Sequence, residues 1–242
     1  DMEKIVETSD EWITERTGIK QRHIAAPEEA TSDLAYNAAV EALKDAGVAP
    51  EELDLVIVGT ASSDYIFPST ACLVQARLGA KNAAAFDLAA GCSGFVYSLA
   101  VASQMVKSGL YNKILIIGAE TLSRIMNWTD RNTCVLFGDG AGAAVVAEVE
   151  ERYGVLNMKP EELDMLFPHQ ANYRIITSAA KRLKMPMDKV WVNVDKYANT
   201  SAASIPIALC EAQKAGALKK GDNIILDGFG AGLTWAAIVL KW

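Results

Sequence analysis

A tetrapeptide that occurs twice constrains this chain more than any other feature. Glu51-Glu52-Leu53-Asp54 opens the run LVIVGTA, and Glu161-Glu162-Leu163-Asp164 opens MLFPHQA. Each copy continues through an amphipathic helix and a second apolar segment into a sharp turn, so the spacing predicts a duplicated α/β unit. The first turn presents Cys92 and the second, in the matching place, Asn199. His169 ends the first strand of the second copy. Duplication thus gathers a thiol, an imidazole and a carboxamide at the strand ends, where α/β folds carry their sites.

The first half, residues 1–156, carries the cysteine, and the second, residues 157–242, carries the histidine and asparagine. In the first, Thr31 or Ser32 is expected to cap a helix that Gly47 terminates, with Leu34, Ala35, Ala38, Ala39, Ala42, Leu43 and Ala46 on one face. A strand follows at 53–59. The apolar run 83–90 reads as a strand buried on both faces, turning at Gly91 into a buried helix over 93–108. The second half reads as a strand at 163–167, a helix over 173–184, a strand at 190–194 and a buried helix over 200–215. Each half closes with two strands of a mixed sheet. No counterpart of the 31–47 helix, or of a strand before it, precedes Glu161. The printed sequence is therefore expected to be discontinuous near 153–158.

Composition narrows the function. With 51% hydrophobic and 22% charged residues the chain has more to bury than one subunit's core requires, which points to a homo-oligomer. The net charge of −7 argues against nucleic acid and against anionic membrane. Apolar runs are far shorter than the roughly 20 residues of a membrane span. Cys72, Cys92, Cys134 and Cys210 show no metal or CxxC spacing and read as reduced thiols of a cytoplasmic protein.

Cys92 lies between a buried strand and the start of a helix, where the macrodipole and free N–H groups favour a thiolate. Asparagine in place of aspartate leaves His169 neutral. Both side chains can then donate hydrogen bonds to a developing oxyanion, which suits an enolate. The turns FGDGAG (137–142) and FGAG (229–232) let backbone approach the same place, and neither fits a dinucleotide or P-loop pattern.

These residues resemble the 3-oxoacyl-[acyl-carrier-protein] synthase III family of the thiolase superfamily. DLAAGCSGF (87–95), LFPHQANYRI (166–175), YANTSAAS (197–204), FGAGLTW (229–235) and TSDEWITERTGI (8–19) carry the likeness over nearly the whole chain. The resemblance implies an αβαβα homodimer that condenses acetyl-CoA with malonyl-acyl carrier protein, initiating fatty-acid synthesis without a metal or redox cofactor. It implies that Cys92 takes the acyl group, with the backbone N–H groups of Cys92 and Ala231 at the thioester oxygen. His169 and Asn199 would hold the malonyl thioester oxygen as decarboxylation forms the enolate.

By the same resemblance Trp12 and Arg131 stack on the adenine of CoA, and Asn172 lies by the pantetheine arm. Gln170, Ala171, Asn172, Tyr173 and Arg174 meet the carrier protein, with Lys181, Arg182 and Lys184 on the same basic helix. Phe67 reaches across the dimer to line the partner's acyl pocket, with Leu122 and Phe137 on the near side. The family also has an opening strand before Asp1 and a strand, loop and helix at the gap, and often a glycine where Ala231 stands. A related ketosynthase of branched-chain or secondary-metabolite pathways is the alternative, or a catalytically dead remnant if the gap is a true deletion. Papain-like proteases share the order Cys, His, Asn, but their flanking signature is absent and their fold has no duplication.

Overall fold

The structure is a computed structural model, which describes residues 1–148 and 159–242. Both the expected boundary between halves, at 156/157, and the expected discontinuity at 153–158 fall outside the described residues.

The repeated tetrapeptide has a mechanical role. In each copy its second glutamate reaches back to cap a 3-10 turn: the Ala49 N–H donates to Glu52 at 2.8 Å and the Lys159 N–H to Glu162 at 2.7 Å. The aspartate then ties the coming strand to its parallel neighbour. Asp54 accepts from the N–H groups of Asn112 and Lys113 at 2.7 and 3.0 Å, and Asp164 from that of Asn223 at 2.8 Å.

The first sheet holds β1 (Leu55–Gly59), β2 (Ala84–Leu88), β3 (Lys113–Glu120) and β4 (Gly140–Ala147) in the order β2-β1-β3-β4, with β4 antiparallel. The second holds β5 (Met165–Pro168), β6 (Asn223–Gly230) and β7 (Thr234–Lys241) in that order, with β7 antiparallel. Strand periodicity sorts the side chains. Leu55, Ile57, Ile114 and Ile116 point to one core; Val56, Val58, Leu115 and Ile117 point to another.

The helices are α1 (Asp10–Thr17), α2 (Thr31–Ala46), α3 (Thr70–Leu78), α4 (Gly94–Lys107), the one-turn α5 (Arg131–Cys134), α6 (Tyr173–Arg182), the one-turn α7 (Val194–Tyr197) and α8 (Ser204–Lys214). α4 and α8 fill the space between the sheets, where Phe95, Val96, Ile205 and Ala208 meet Phe167, Ile224 and Leu226. α2 and α3 cover the outer face of the first sheet, and α1 and α6 that of the second. The result is five layers, αβαβα. Among the described residues no helix is long and apolar enough to cross a membrane.

Four local expectations are corrected. β2 is not buried on both faces: it is an edge strand, and Phe86 stays 36% exposed. The segment 190–194 forms a single bridge, Val190 to Leu166, and then α7, because Gln170 takes the N–H groups of Asn193 and Val194 at 2.9 and 3.1 Å. Neither Thr31 nor Ser32 caps α2. Asp33 accepts the Ala30 N–H at 2.9 Å instead, while the Thr31 hydroxyl donates to the Ser62 carbonyl and Ser32 binds Asp64. Finally, α8 starts at Ser204 and is preceded by a separate 3-10 turn, 201–203.

That turn corrects the alignment of the copies. Cys92 occupies the 3-10 turn 91–93 ahead of α4, and its counterpart is Ala202 rather than Asn199. The backbone agrees: the turns open on Gly91 at φ +51° and Ser201 at φ +47°. The halves also differ on their outer faces. α2 packs over β4, whereas Trp235, Ala237 and Val239 on the outer face of β7 lie exposed.

Candidate active site

Both nucleophile-type turns reach the sheets because the strands carry glycine opposite them. A Cβ on Gly118 would strike the backbone carbonyl of Ala202, and one on Gly59 would come within 2.7 Å of the Gly94 carbonyl carbon. The turns therefore rest on the strand backbones, at the C-terminal ends of β1 and β3.

Cys92 is half-buried. A Cβ placed on Gly230 would lie 3.1 Å from the Cys92 N, and one on Gly91 3.7 Å from the Ala231 N, so both N–H groups border this turn. A thiolate was expected, but burial pushes the thiol upward, opposed by the Ser201 side chain, assisted by the nearby Glu120 charge and opposed again by the backbone N–H groups of Ala231 and Cys92. The resting group is a thiol.

His169 continues from β5, where its N–H donates to the Asp227 carbonyl at 2.7 Å. Its Nδ1 lies 2.7 Å from the Ser204 hydroxyl, at the start of α8. The ring is 2% exposed, and burial pushes it down to about 4, so it is neutral at pH 7. Asn199 is fixed at both ends. Its main chain bridges to Phe137, and its Oδ1 accepts the Ser201 N–H at 2.9 Å, which leaves its NH2 as the end to offer. Asn199 is thus tied to the Ser201 turn, and His169 to Ser204 at the start of α8, three residues on.

The histidine makes acid stability testable. Between about pH 6.5 and pH 4 the unfolded chain binds a proton here and the native chain does not, so this contribution is full above that window and lost as pH falls through it. Its size is about 3 kcal/mol. Burial pushes Asp227 up to about 6, which acts oppositely over an overlapping range, so the two must be separated by mutation. Urea unfolding of the wild type and of His169→Asn at pH 4 and pH 7 should show the larger acid loss in the wild type. Equal losses would refute the buried neutral histidine.

The remaining expected residues are more dispersed. Gln170 is 1% exposed and both ends of its amide are used internally, its NH2 donating to the Pro168 and Trp191 carbonyls, so it has no surface for a carrier protein. Ala171 is half-buried, and Asn172 caps α6 by accepting the Ile175 N–H at 3.0 Å. Tyr173 and Arg174 are exposed. The Arg131 guanidinium stacks on the Trp12 ring at 4.5 Å, and Arg16 lies 4.7 Å from the same ring. A base held between Trp12 and Arg131 would have to part them. Phe67 is 89% exposed beside Ile66, while Leu122 is buried and Phe137 half-buried. Asp139 of FGDGAG is structural: it accepts the N–H groups of Ala25 and Ser123 at 2.8 and 2.9 Å.

Three residues went unread in the sequence. Ser201 and Ser204 lay inside YANTSAAS, where serine reads as turn chemistry. Glu120 ends an apolar strand, and a charge placed there was the available signal.

Two family descriptions match the chain: 3-oxoacyl-[acyl-carrier-protein (ACP)] synthase III over residues 86–161, and the C-terminal part of the same family over 155–242. The beta-ketoacyl-[acyl-carrier-protein] synthase III of Caldanaerobacter subterraneus is 51% identical, over all of this chain and 92% of its own length. That alignment runs over 305 positions, so 305 − 242 = 63 of them face no residue here. The crystal structure of the Aquifex aeolicus 3-oxoacyl-[acyl-carrier-protein] synthase III superposes with a TM-score of 0.96 at 47% identity, covering 100% of this chain and 94% of that one. The priming beta-ketosynthase of the R1128 polyketide pathway superposes at 0.94 with 30% identity, covering 99% and 90%. With identity this high over its whole length, the chain belongs to the 3-oxoacyl-[acyl-carrier-protein] synthase III family, whose members are acyltransferases.

Proposed function

We propose that this chain starts fatty-acid synthesis by a decarboxylating Claisen condensation of acetyl-CoA with malonyl-acyl carrier protein. The observation that carries the reading is a neutral buried His169 held at Ser204 and an Asn199 carboxamide held at Ser201, on the turn equivalent to the one that carries Cys92. Cys92 attacks the acetyl thioester, and the oxygen charge falls on the N–H groups of Cys92 and Ala231. CoA leaves as its thiol.

Malonyl-acyl carrier protein then enters. Loss of CO2 leaves an enolate whose oxygen needs hydrogen-bond donors and no competing negative charge. With Ser204 O–H donating to Nδ1, His169 presents Nε2–H; Asn199 presents its NH2, since its Oδ1 is held by the Ser201 N–H. The carbanion attacks acetyl-Cys92 and regenerates the thiol. Acylation uses one oxyanion site and decarboxylation the other, so His169→Ala and Asn199→Ala should keep the acetyl adduct on Cys92 while condensation falls by about 10²–10³-fold. Intact-mass and product assays read the two separately. Loss of the adduct together with condensation would contradict this division of labour.

CoA is read as lying beside Trp12 and Arg131 with its pantetheine arm near Asn172, and the acyl chain as lined by Leu122 and Phe137. A homodimer is supported by the edge of β2, which among the described residues has no partner strand, and by the exposed Tyr65, Ile66 and Phe67, which a second copy would cover. Exposed Arg174, Lys181, Arg182 and Lys184 on and just after α6 offer a basic face to an acidic carrier protein, joined by Ala171 to Tyr173. No metal or redox cofactor is invoked; acyl-CoA is a substrate. The four free thiols fit a cytoplasmic setting. The 63 aligned positions without a counterpart are read as the strand and helix that would cover the outer face of β7.

A further inference from the structure

The contact between His169 and Ser204 has a counterpart in the other copy. Aligned on the shared tetrapeptide and on the two 3-10 turns, Gly59 at the end of β1 stands where His169 follows β5, and Gly94 opens α4 where Ser204 opens α8. In the first copy these positions meet as bare backbone, since a Cβ on Gly59 would come within 2.7 Å of the Gly94 carbonyl carbon. In the second copy they carry an imidazole and a hydroxyl, with Nδ1 2.7 Å from Oγ. One framework contact is packing in one half and a buried hydrogen bond in the other.

The direction of that bond follows from what else Ser204 touches. Its Oγ accepts the Gln170 N–H at 3.4 Å. The Gln170 main chain is held there by its own side chain, which donates to the Pro168 and Trp191 carbonyls at 2.9 and 3.1 Å and accepts the Asn193 and Val194 N–H groups. A serine on a helix can instead turn back to the carbonyl four residues earlier, as Ser98 and Ser103 do on α4 at 2.8 and 2.7 Å. Ser204 makes no such bond, and among the described residues Nδ1 is the one acceptor it meets. Were Nδ1 to carry the ring proton, Ser204 would accept two N–H groups and its own proton would have no acceptor, in a residue 2% exposed. Nδ1 is therefore bare. The ring proton sits on Nε2, which has no partner among the described residues and is the atom left to face a reactant.

We propose that Ser204 is a positioning residue of the condensation: by donating to Nδ1 it fixes His169 as the Nε2–H tautomer and holds the ring so that this N–H can meet the enolate oxygen. The proposal rests on the condensation read above and deepens it. Ser204 itself touches no reactant. A ring of the other tautomer would turn a lone pair toward the enolate oxygen, and decarboxylation would lose a donor at the atom where charge develops. Acylation of Cys92 uses neither ring nitrogen, so Ser204 bears on the second half-reaction and not on the first.

Nitrogen-15 NMR of the histidine side chains reads the tautomer directly. The chain has 2 histidines, and His23→Asn identifies the signals of His169. At pH 7, where the ring is neutral, the wild type should show a bare Nδ1 and a protonated Nε2. In Ser204→Ala the two nitrogen shifts should move toward each other as both tautomers become populated. Its kcat for condensation should fall about tenfold, less than for loss of the whole ring, with KM for malonyl-acyl carrier protein little changed and the acetyl adduct on Cys92 intact. A melting curve checks the fold, and Ser204→Cys, which keeps the shape but is a weaker donor, should fall between the two. A protonated Nδ1 in the wild type overturns the proposal without any variant, and so does a Ser204→Ala ring that keeps the wild-type shifts. An Nε2–H ring in a wild type that makes no 3-oxoacyl product would refute the condensation reading and leave the tautomer assignment standing; product from a ring protonated at Nδ1 would do the reverse.

Discussion

Cys92→Ser is expected to fold normally and to form no acetyl adduct, with condensation reduced by at least about 10³-fold, the loss typical of removing a nucleophile that works with its neighbours as a unit. The fold should tolerate it because Cys92 is half-buried in a 3-10 turn rather than in a packed core, and serine differs from cysteine by one atom of similar shape. Chemistry should not tolerate it. An alcohol holds its proton far more tightly than a thiol, and a thiol already pushed upward by burial and by Glu120 has little reactivity to spare. Intact mass after incubation with acetyl-CoA reads the adduct, and a melting curve reads the fold. An adduct of full stoichiometry on the variant would move the nucleophile elsewhere, to Cys72 or to the exposed Cys210.

Gly118→Val should prevent folding at ordinary temperature, with a loss of more than about 4 kcal/mol, because both available escapes are blocked. The new Cβ overlaps the Ala202 carbonyl, and the Pro206 ring lies 3.2 Å away on α8. Strand β3 cannot retreat, since β1 and β4 hold it on either side. α8 cannot retreat without opening the core between the sheets. Gly109→Ala is the control: it has φ +76° but nothing within 4 Å, so only the backbone cost of about 1 kcal/mol applies. Chemical denaturation of both variants distinguishes crowding from conformational cost. A Gly118→Val protein as stable as the Gly109→Ala control would show that the two turns do not depend on this close approach.

The two cases show what kinds of inference a linear reading supports. Duplication was legible because a tetrapeptide that caps a turn and ties two parallel strands must keep its residue types in both copies. Layering was legible because period-two strands with apolar residues on both faces need helices on both sides. His169 and Cys92 stood out because strand ends followed by sharp turns are where α/β folds expose side chains.

Other features depend on contacts between residues far apart in the chain. Whether β2 is central or at an edge is set by which strand lies beside it, and its own apolar run reads the same in either case. Gln170 looks like a surface amide until its partners at 168, 191, 193 and 194 are brought around it. The protonation of Cys92 is the sharpest example. Local features, a helix start and nearby N–H groups, favour the thiolate, whereas burial and a carboxylate 28 positions downstream favour the thiol, and they prevail. Sequence alone determined the duplicated α/β architecture and pointed to Cys92, His169 and Asn199, because periodicity and turn chemistry are local. Only the tertiary structure decided the charge states of Cys92 and His169, the pairing of Cys92 with Ala202 across the copies, and the burial of Glu120. Desolvation and electrostatic coupling act through space, between groups whose separation along the chain carries no record of their distance.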